Sequence, residues 1–127
     1  MARNNRIFTS FAIEDASYRT MLVGQAANER SPFAFTDMSV KEPWDEKWKT
    51  NCRTKIKGCD GLIALISSNT MRADGARWEI KCAIEEKVPV IGVRIPATFP
   101  APVPPELAGQ PVISWTWAGI AAFINRL

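Results

Sequence analysis

The chain has 127 residues, 46% of them apolar and 23% charged, with a formal net charge of +3 and no histidine. That balance describes one globular domain, residues 1–127, able to bury roughly two thirds of the surface its unfolded form exposes, and argues against a disordered or membrane-spanning chain. The missing histidine excludes Ser-His-Asp and Cys-His catalysis, His-ligated zinc and imidazole acid–base work, so any reaction must rest on carboxylates, hydroxyls, lysine or backbone donors.

The N-terminal MARNNRIF is polar and without an apolar leader, and the longest apolar run, Leu62 to Ile66, is too short to span a bilayer. A cytoplasmic protein with no membrane partner is expected. Cys52, Cys59 and Cys82 are odd in number and lack a CxxC spacing, and the first two fall on one helical pattern, which predicts buried reduced thiols.

Arg6 to Phe11 is short, apolar and rich in β formers, a first strand, and the segment to about Asn28 carries Tyr18, Leu22, Val23 and Ala26 at helical spacing. Ser31-Pro32 breaks the chain before a second strand, Phe33 to Asp37, and Met38 to Pro43 reads as a loop. Pro43 suits the first position of a helix in which Trp44, Trp48, Cys52, Ile56 and Cys59 recur every three or four residues, with the Trp pair expected to anchor it to the sheet. Leu62 to Ile66 is the continuous apolar run of a central parallel strand covered on both faces. After Ser67-Ser68-Asn69-Thr70 and a loop through Asp74 and Gly75, a helix begins with Glu79 in its first turn, followed by a strand from Val90 to Val93. A connector from Pro96 to Pro111 holds six of the nine prolines, and Val112 to Ser114 and Trp117 to Leu127 close the chain as a strand and an apolar helix.

Strands alternating with helices at this length indicate βαβ units and a parallel sheet. Five strands suit the flavodoxin-like α/β fold of three layers in the order 2-1-3-4-5, where ligands bind at the switch point between the first and third strands, beyond their carboxyl ends. Ser10, Phe11 and Ala12 follow the first strand, Asp37 and Ser39 the second, Ser67 and its neighbours the third, and Glu79 opens the next helix at the same rim. A carboxylate at a helix start is favoured as the anion by about 0.3 to 1 kcal/mol. Each residue also has an ordinary reading: Glu79 as a helix-start residue, Asp37 and Ser67 as turn and cap chemistry, and Trp44, Trp48 and Trp78 as packing aromatics. Lys41, Lys47, Lys49, Lys55 and Lys57 read as the solvated face of a helix, and no nucleic-acid motif accompanies them. The rim lacks the acidic set and lysine of a phosphate-accepting receiver domain, and no Walker loop or GxGxxG fingerprint occurs.

Taken in order, RIFTSFAIED, FAFTDMSVKEPW, LIALISSNT and RWEIKCAIEEKVPVIGV resemble the TIR-like family, in the small bacterial form of the Thoeris antiphage ThsB type, over roughly residues 6 to 95. The family's aromatic-Ser-aromatic step followed by an acid is matched by Phe8, Ser10, Phe11 and Asp15, and its aromatic-Glu-Ile by Trp78, Glu79 and Ile80. The resemblance implies Glu79 as the catalytic residue with Ser10, Phe11 and Trp78 in the substrate site, the switch-point position adds Ala12, Asp37, Ser39 and Ser67 to that site, and no metal or resident cofactor is expected. It implies NAD as substrate, cleaved between nicotinamide and ribose by a glycohydrolase or ADP-ribosyl cyclase reaction, and as partners self-association and a downstream effector that senses the product. A fixed carboxylate beside an oxocarbenium-like ribose suits that chemistry, and nicotinamide leaves neutral without a general acid. The competing readings are a TIR scaffold acting only by self-association and a nucleoside deoxyribosyltransferase-like enzyme with a nucleophilic glutamate.

Overall fold

The computed structural model describes residues 5–29, 33–38, 41–96 and 101–127. Five strands, β1 (Asn5–Ser10), β2 (Phe33–Thr36), β3 (Gly61–Ile66), β4 (Val90–Arg94) and β5 (Val112–Ser114), form one sheet in the order β2-β1-β3-β4-β5. Every neighbouring pair is parallel. The helices are α1 (Ala16–Asn28), α2 (Glu46–Lys57), α3 (Asp74–Glu85) and α4 (Trp117–Asn125). The flavodoxin-like order expected from the strand alternation is the one observed.

Alternate residues of the strands feed two apolar layers, because successive side chains leave opposite faces of a sheet. Phe8, Leu62, Ala64 and Ile66 pack against Trp48, Cys52 and Ile56 of α2 and Ile80 and Ala83 of α3. Ile7, Ile63, Leu65, Ile91 and Val93 pack against Leu22 of α1 and Ile120, Phe123 and Ile124 of α4. All six residues of β3 are buried, as a central strand covered on both faces requires. The proline-rich connector is stitched down where it is described: Leu107 is buried in the first layer, and Arg94 Nη1 donates to the carbonyl oxygen of Ala101 at 3.0 Å.

Local chemistry moves several boundaries. Helix α2 starts at Glu46 and not at Pro43, because the Asp45 carboxylate accepts from the backbone N–H groups of Lys47 at 2.8 Å and Trp48 at 3.3 Å and so caps the helix three residues on. Trp44 therefore lies outside the helix, 75% exposed, and only Trp48 of the expected pair anchors α2. Gly58 ends α2, which leaves Cys59 beyond it. Val23 is exposed, since the buried stripe of α1 runs through Leu22 and Ala26. Helix α3 begins at Asp74, so Glu79 stands in its second turn. All three cysteines are free thiols.

Replacing Asp45 with Ala removes two caps from the first turn of α2 and is expected to lower stability by about 1 kcal/mol, with Asp45→Ser retaining most of it. Denaturant unfolding of the two variants checks this, and equal midpoints for Ala and Ser would show that the cap contributes nothing.

Candidate functional site

The carboxyl ends of β1 and β3 lie side by side, Ser10 opposite Ala64, and the chain leaves them in opposite directions to α1 and α3. Into this crevice α3 delivers Glu79. Its placement follows from helical spacing: Ala76, Glu79, Ile80 and Ala83 share the buried face of α3, so the carboxylate points at the sheet and not at water. Glu79 is 0% exposed.

Three donors surround the carboxylate and make four contacts with it. Lys41 Nζ lies 2.9 Å from Oε2 and 3.0 Å from Oε1, Ser10 Oγ lies 3.0 Å from Oε1, and the Cys52 thiol approaches Oε2 at 4.0 Å. The Lys41 ammonium also sits 4.4 Å from the centroid of the Phe11 ring, within cation–π range. Ser10 Oγ is also 3.1 Å from the carbonyl oxygen of Ala76, so its one proton has two acceptors. With Glu79 ionised the hydroxyl donates to the carboxylate; with Glu79 protonated it accepts from the acid and donates to Ala76. Both charge states of Glu79 are thereby satisfied.

Burial pushes the Glu79 carboxyl up from 4.5 to about 7, against the opposing pull of the Lys41 ammonium and the Ser10 hydroxyl, while the Asp37 charge adds to the rise. The sequence favoured an anion held by a helix start. In the second turn the dipole has faded, and Lys41 supplies the positive charge instead. Burial also raises the Cys52 thiol far above its ordinary value, so it stays protonated and serves as a donor.

The other expected site residues fall into separate groups. Phe11 and Ala12 are buried beside Ser10, and the Ala12 carbonyl accepts from Asp15 N–H in the turn that leads into α1. Asp37 pairs with Arg19 at 3.0 Å, and the Arg19 guanidinium lies 5.5 Å from the Phe11 centroid on the way to the same ring. Ser67 donates to the buried Asp15 carboxylate, which also accepts from Asn69 Nδ2 at 3.0 Å. That network ties the β1 and β3 loops together. Trp78 turns away from Glu79, as adjacent helical residues must, and packs edge-on against Trp48 with centroids 5.4 Å apart. Ser39 lies outside the described residues.

Lys41 is the participant that sequence reasoning misplaced. Read as part of a solvated helix face, it lies before α2 and is buried against Glu79, its side chain 10% exposed. No periodicity marks it, because it belongs to a loop. Gly75 gave no signal either: a Cβ built on it would meet Lys41 Cβ at 2.7 Å, so the Lys41 stem reaches the crevice only across a residue without a side chain. Above the stem a cleft of ≈ 210 Å³ opens to solvent between Ile13, Pro43, Trp44, Arg72 and Gly75. Among the described residues no group of acids and cysteines is arranged to hold a metal ion.

Comparison with known proteins adds two findings. The family model described as "Thoeris protein ThsB, TIR-like domain" matches residues 8–99, most of the chain. A 3-dehydroquinate dehydratase-like protein from Bifidobacterium longum superposes with a TM-score of 0.53 at 9% identity, covering 98% of this chain and 94% of that one, a likeness of fold alone. No curated protein matches the chain.

A carboxyl whose folded value of about 7 lies above its ordinary 4.5 holds its proton more tightly folded than unfolded. Its contribution therefore favours folding in full below about pH 4.5 and is lost as the pH rises through about 7. Carbon NMR of the glutamate side chains is expected to find one carboxyl titrating near 7, moving higher in Lys41→Met, and Glu79→Gln is expected to flatten the stability profile over that interval. A Glu79 titration near 4.5 would contradict its burial.

Proposed function

The chain belongs to the TIR-like domain family of the Thoeris protein ThsB, and we propose from that premise that it is an NAD-consuming enzyme of antiphage defence, which cleaves the bond between nicotinamide and ribose. The observation that carries the reading is a single carboxylate, Glu79, standing beside the Phe11 ring at the β1–β3 switch point, where this fold class takes its ligands.

The chemistry needs few groups. As the glycosidic bond breaks, its electron pair moves onto the ring nitrogen, so a cationic nicotinamide leaves neutral and needs no proton. Positive charge develops on the ribose, and the Glu79 carboxylate stabilises it electrostatically in a site that excludes water, where a fixed anion acts most strongly. Water then bonds to the ribose carbon and releases a proton, giving ADP-ribose. A nucleophilic atom of the same nucleotide bonding there instead gives a cyclic product. Ser10 holds the carboxylate in one rotamer, and Phe11 offers a flat face to the leaving ring. In this reading Asp37, Ser67 and Trp78 shape the surroundings from their own networks, self-association completes the working form, and the product signals to a downstream effector.

The complete burial of Glu79 favours the competing scaffold reading, in which it is only a structural acid, and one experiment separates the two. NAD is incubated with concentrated protein, wild type and Glu79→Gln, with and without lysate of phage-infected cells, and followed by mass spectrometry. Nicotinamide and an ADP-ribose-derived product are expected from the wild type, falling about 100-fold or more in the variant. Intact NAD throughout, with cells still protected by both forms, would establish the scaffold. A ribosyl adduct trapped on Glu79 would point to the deoxyribosyltransferase-like mechanism.

A further inference from the structure

We propose that the Glu79 carboxylate and the Phe11 ring form a cation subsite that the chain's own Lys41 ammonium fills at rest, and that its ligand is a cationic, N-substituted pyridinium which must displace Lys41 to enter. The identity of the ligand rests on the NAD reading; the subsite and its internal occupant rest on geometry alone.

The Lys41 ammonium makes two contacts at once, 2.9 and 3.0 Å to the two carboxylate oxygens and 4.4 Å to the centre of an aromatic ring. An anion and an aromatic face converging on one point are what a flat ring carrying delocalised positive charge requires, with the face for stacking and the anion for the charge. A purely structural role explains the arrangement less well. Buried ion pairs are commonly no more stabilising than apolar residues of the same volume, and this one places a carboxylate where burial disfavours its charge. The choice of lysine also fits an occupant that leaves. Its ammonium is compact, strongly hydrated and carried on a flexible stem, whereas an arginine would lock into a two-bond fork with the carboxylate.

The path of the stem is built in. Gly75 leaves a groove along the first turn of α3, with a hypothetical Cβ at 2.7 Å from Lys41 Cβ and 3.3 Å from both Cγ and Cδ, and the stem lies along it. The same groove forms the floor of the cleft bordered by Ile13, Pro43, Trp44 and Arg72. Lys41 is the side chain common to the cleft and the subsite, so its withdrawal toward solvent is the movement that would join them. Cation replaces cation, so the crevice keeps its net charge.

The test uses two probes of one shape, neutral nicotinamide and its N-methylated cation, in which a methyl group stands on the ring nitrogen. Binding to the full chain is followed by NMR for wild type, Lys41→Met, Gly75→Ala and the double variant Lys41→Met, Glu79→Gln, with thermal unfolding run on each. Removal of an internal competitor raises apparent affinity by the reciprocal of the fraction of sites it had left open, so with about one site in ten open at rest the cation is expected to bind Lys41→Met about tenfold or more tightly than wild type. Neutral nicotinamide is expected to show no such gain, and the double variant to lose it. Gly75→Ala, whose added methyl group crowds the stem but leaves Glu79 and Phe11 untouched, is expected to shift affinity in the same direction and decides the matter where Lys41→Met fails to fold. A folded variant that binds the cation no better than wild type, or binds both probes equally better, would overturn the proposal. Cation binding gained while NAD stays uncleaved would sink the NAD reading and leave the subsite standing. NAD cleaved at equal rates by wild type and both single variants would do the reverse.

Discussion

A carboxylate with no access to water is the constraint around which this molecule is arranged. Taking such a group out of water carries a penalty of several kcal/mol unless charge and hydrogen bonds are returned to it. Three donors from three parts of the chain do so, Ser10 from the end of β1, Lys41 from the loop ahead of α2 and Cys52 from α2 itself, while the Ala76 carbonyl of α3 is a second acceptor for the Ser10 hydroxyl. Each donor must arrive at a fixed place. The close approach at Gly75, the protonated state of Cys52 and the termination of β1 at Ser10 all follow from that requirement.

The sheet makes the convergence possible. Parallel strands bring every carboxyl end to one rim, and the order β2-β1-β3-β4-β5 sends the chain outward on both sides of the β1–β3 boundary, leaving a crevice that neither neighbouring helix fills. Two apolar layers hold the rim rigid, and the polar bridge from Ser67 and Asn69 to the buried Asp15 ties the two loops across the boundary. Polar groups buried at such a junction cost less than they would in the core, because they satisfy one another. The Trp48–Trp78 contact does similar work on the outer side, locking α2 to α3 so that Cys52 and Glu79 keep their separation.

The fold was legible because it is written in periodicity. The run Leu62 to Ile66 announces a central strand, and the alternation of strand and helix announces the parallel sheet and, with five strands, its order. Boundaries were less legible, because a single side-chain cap decides them: Asp45 moves the start of α2 past Pro43 and Trp44. At the candidate site, Ser10, Phe11 and Glu79 could be gathered because each sits at the end of a regular element. Lys41 and Gly75 could not. Their relation is a contact between a loop and a helix 34 positions apart, and nothing local in either segment encodes it. Glu79 itself was placed one turn too early, which exchanged the source of its electrostatic support from a helix dipole to a side chain.

That exchange bears on how such a site works. A helix dipole is permanent, whereas a lysine on a flexible stem is removable, and only a removable partner lets a buried carboxylate change what it neutralises. Burial lifts Glu79 to about 7 even against the pull of Lys41, so without that ammonium it would hold its proton more tightly still, and a neutral acid offers little to a developing cation. The paired ammonium draws it back toward the anion. An incoming cation then meets a carboxyl group oriented by Ser10 and buried from water, and the substitution of one positive group for another keeps the same pull toward the anion. The pairing that keeps the crevice closed is thus the same one that draws its carboxyl group toward the state a cationic ligand needs.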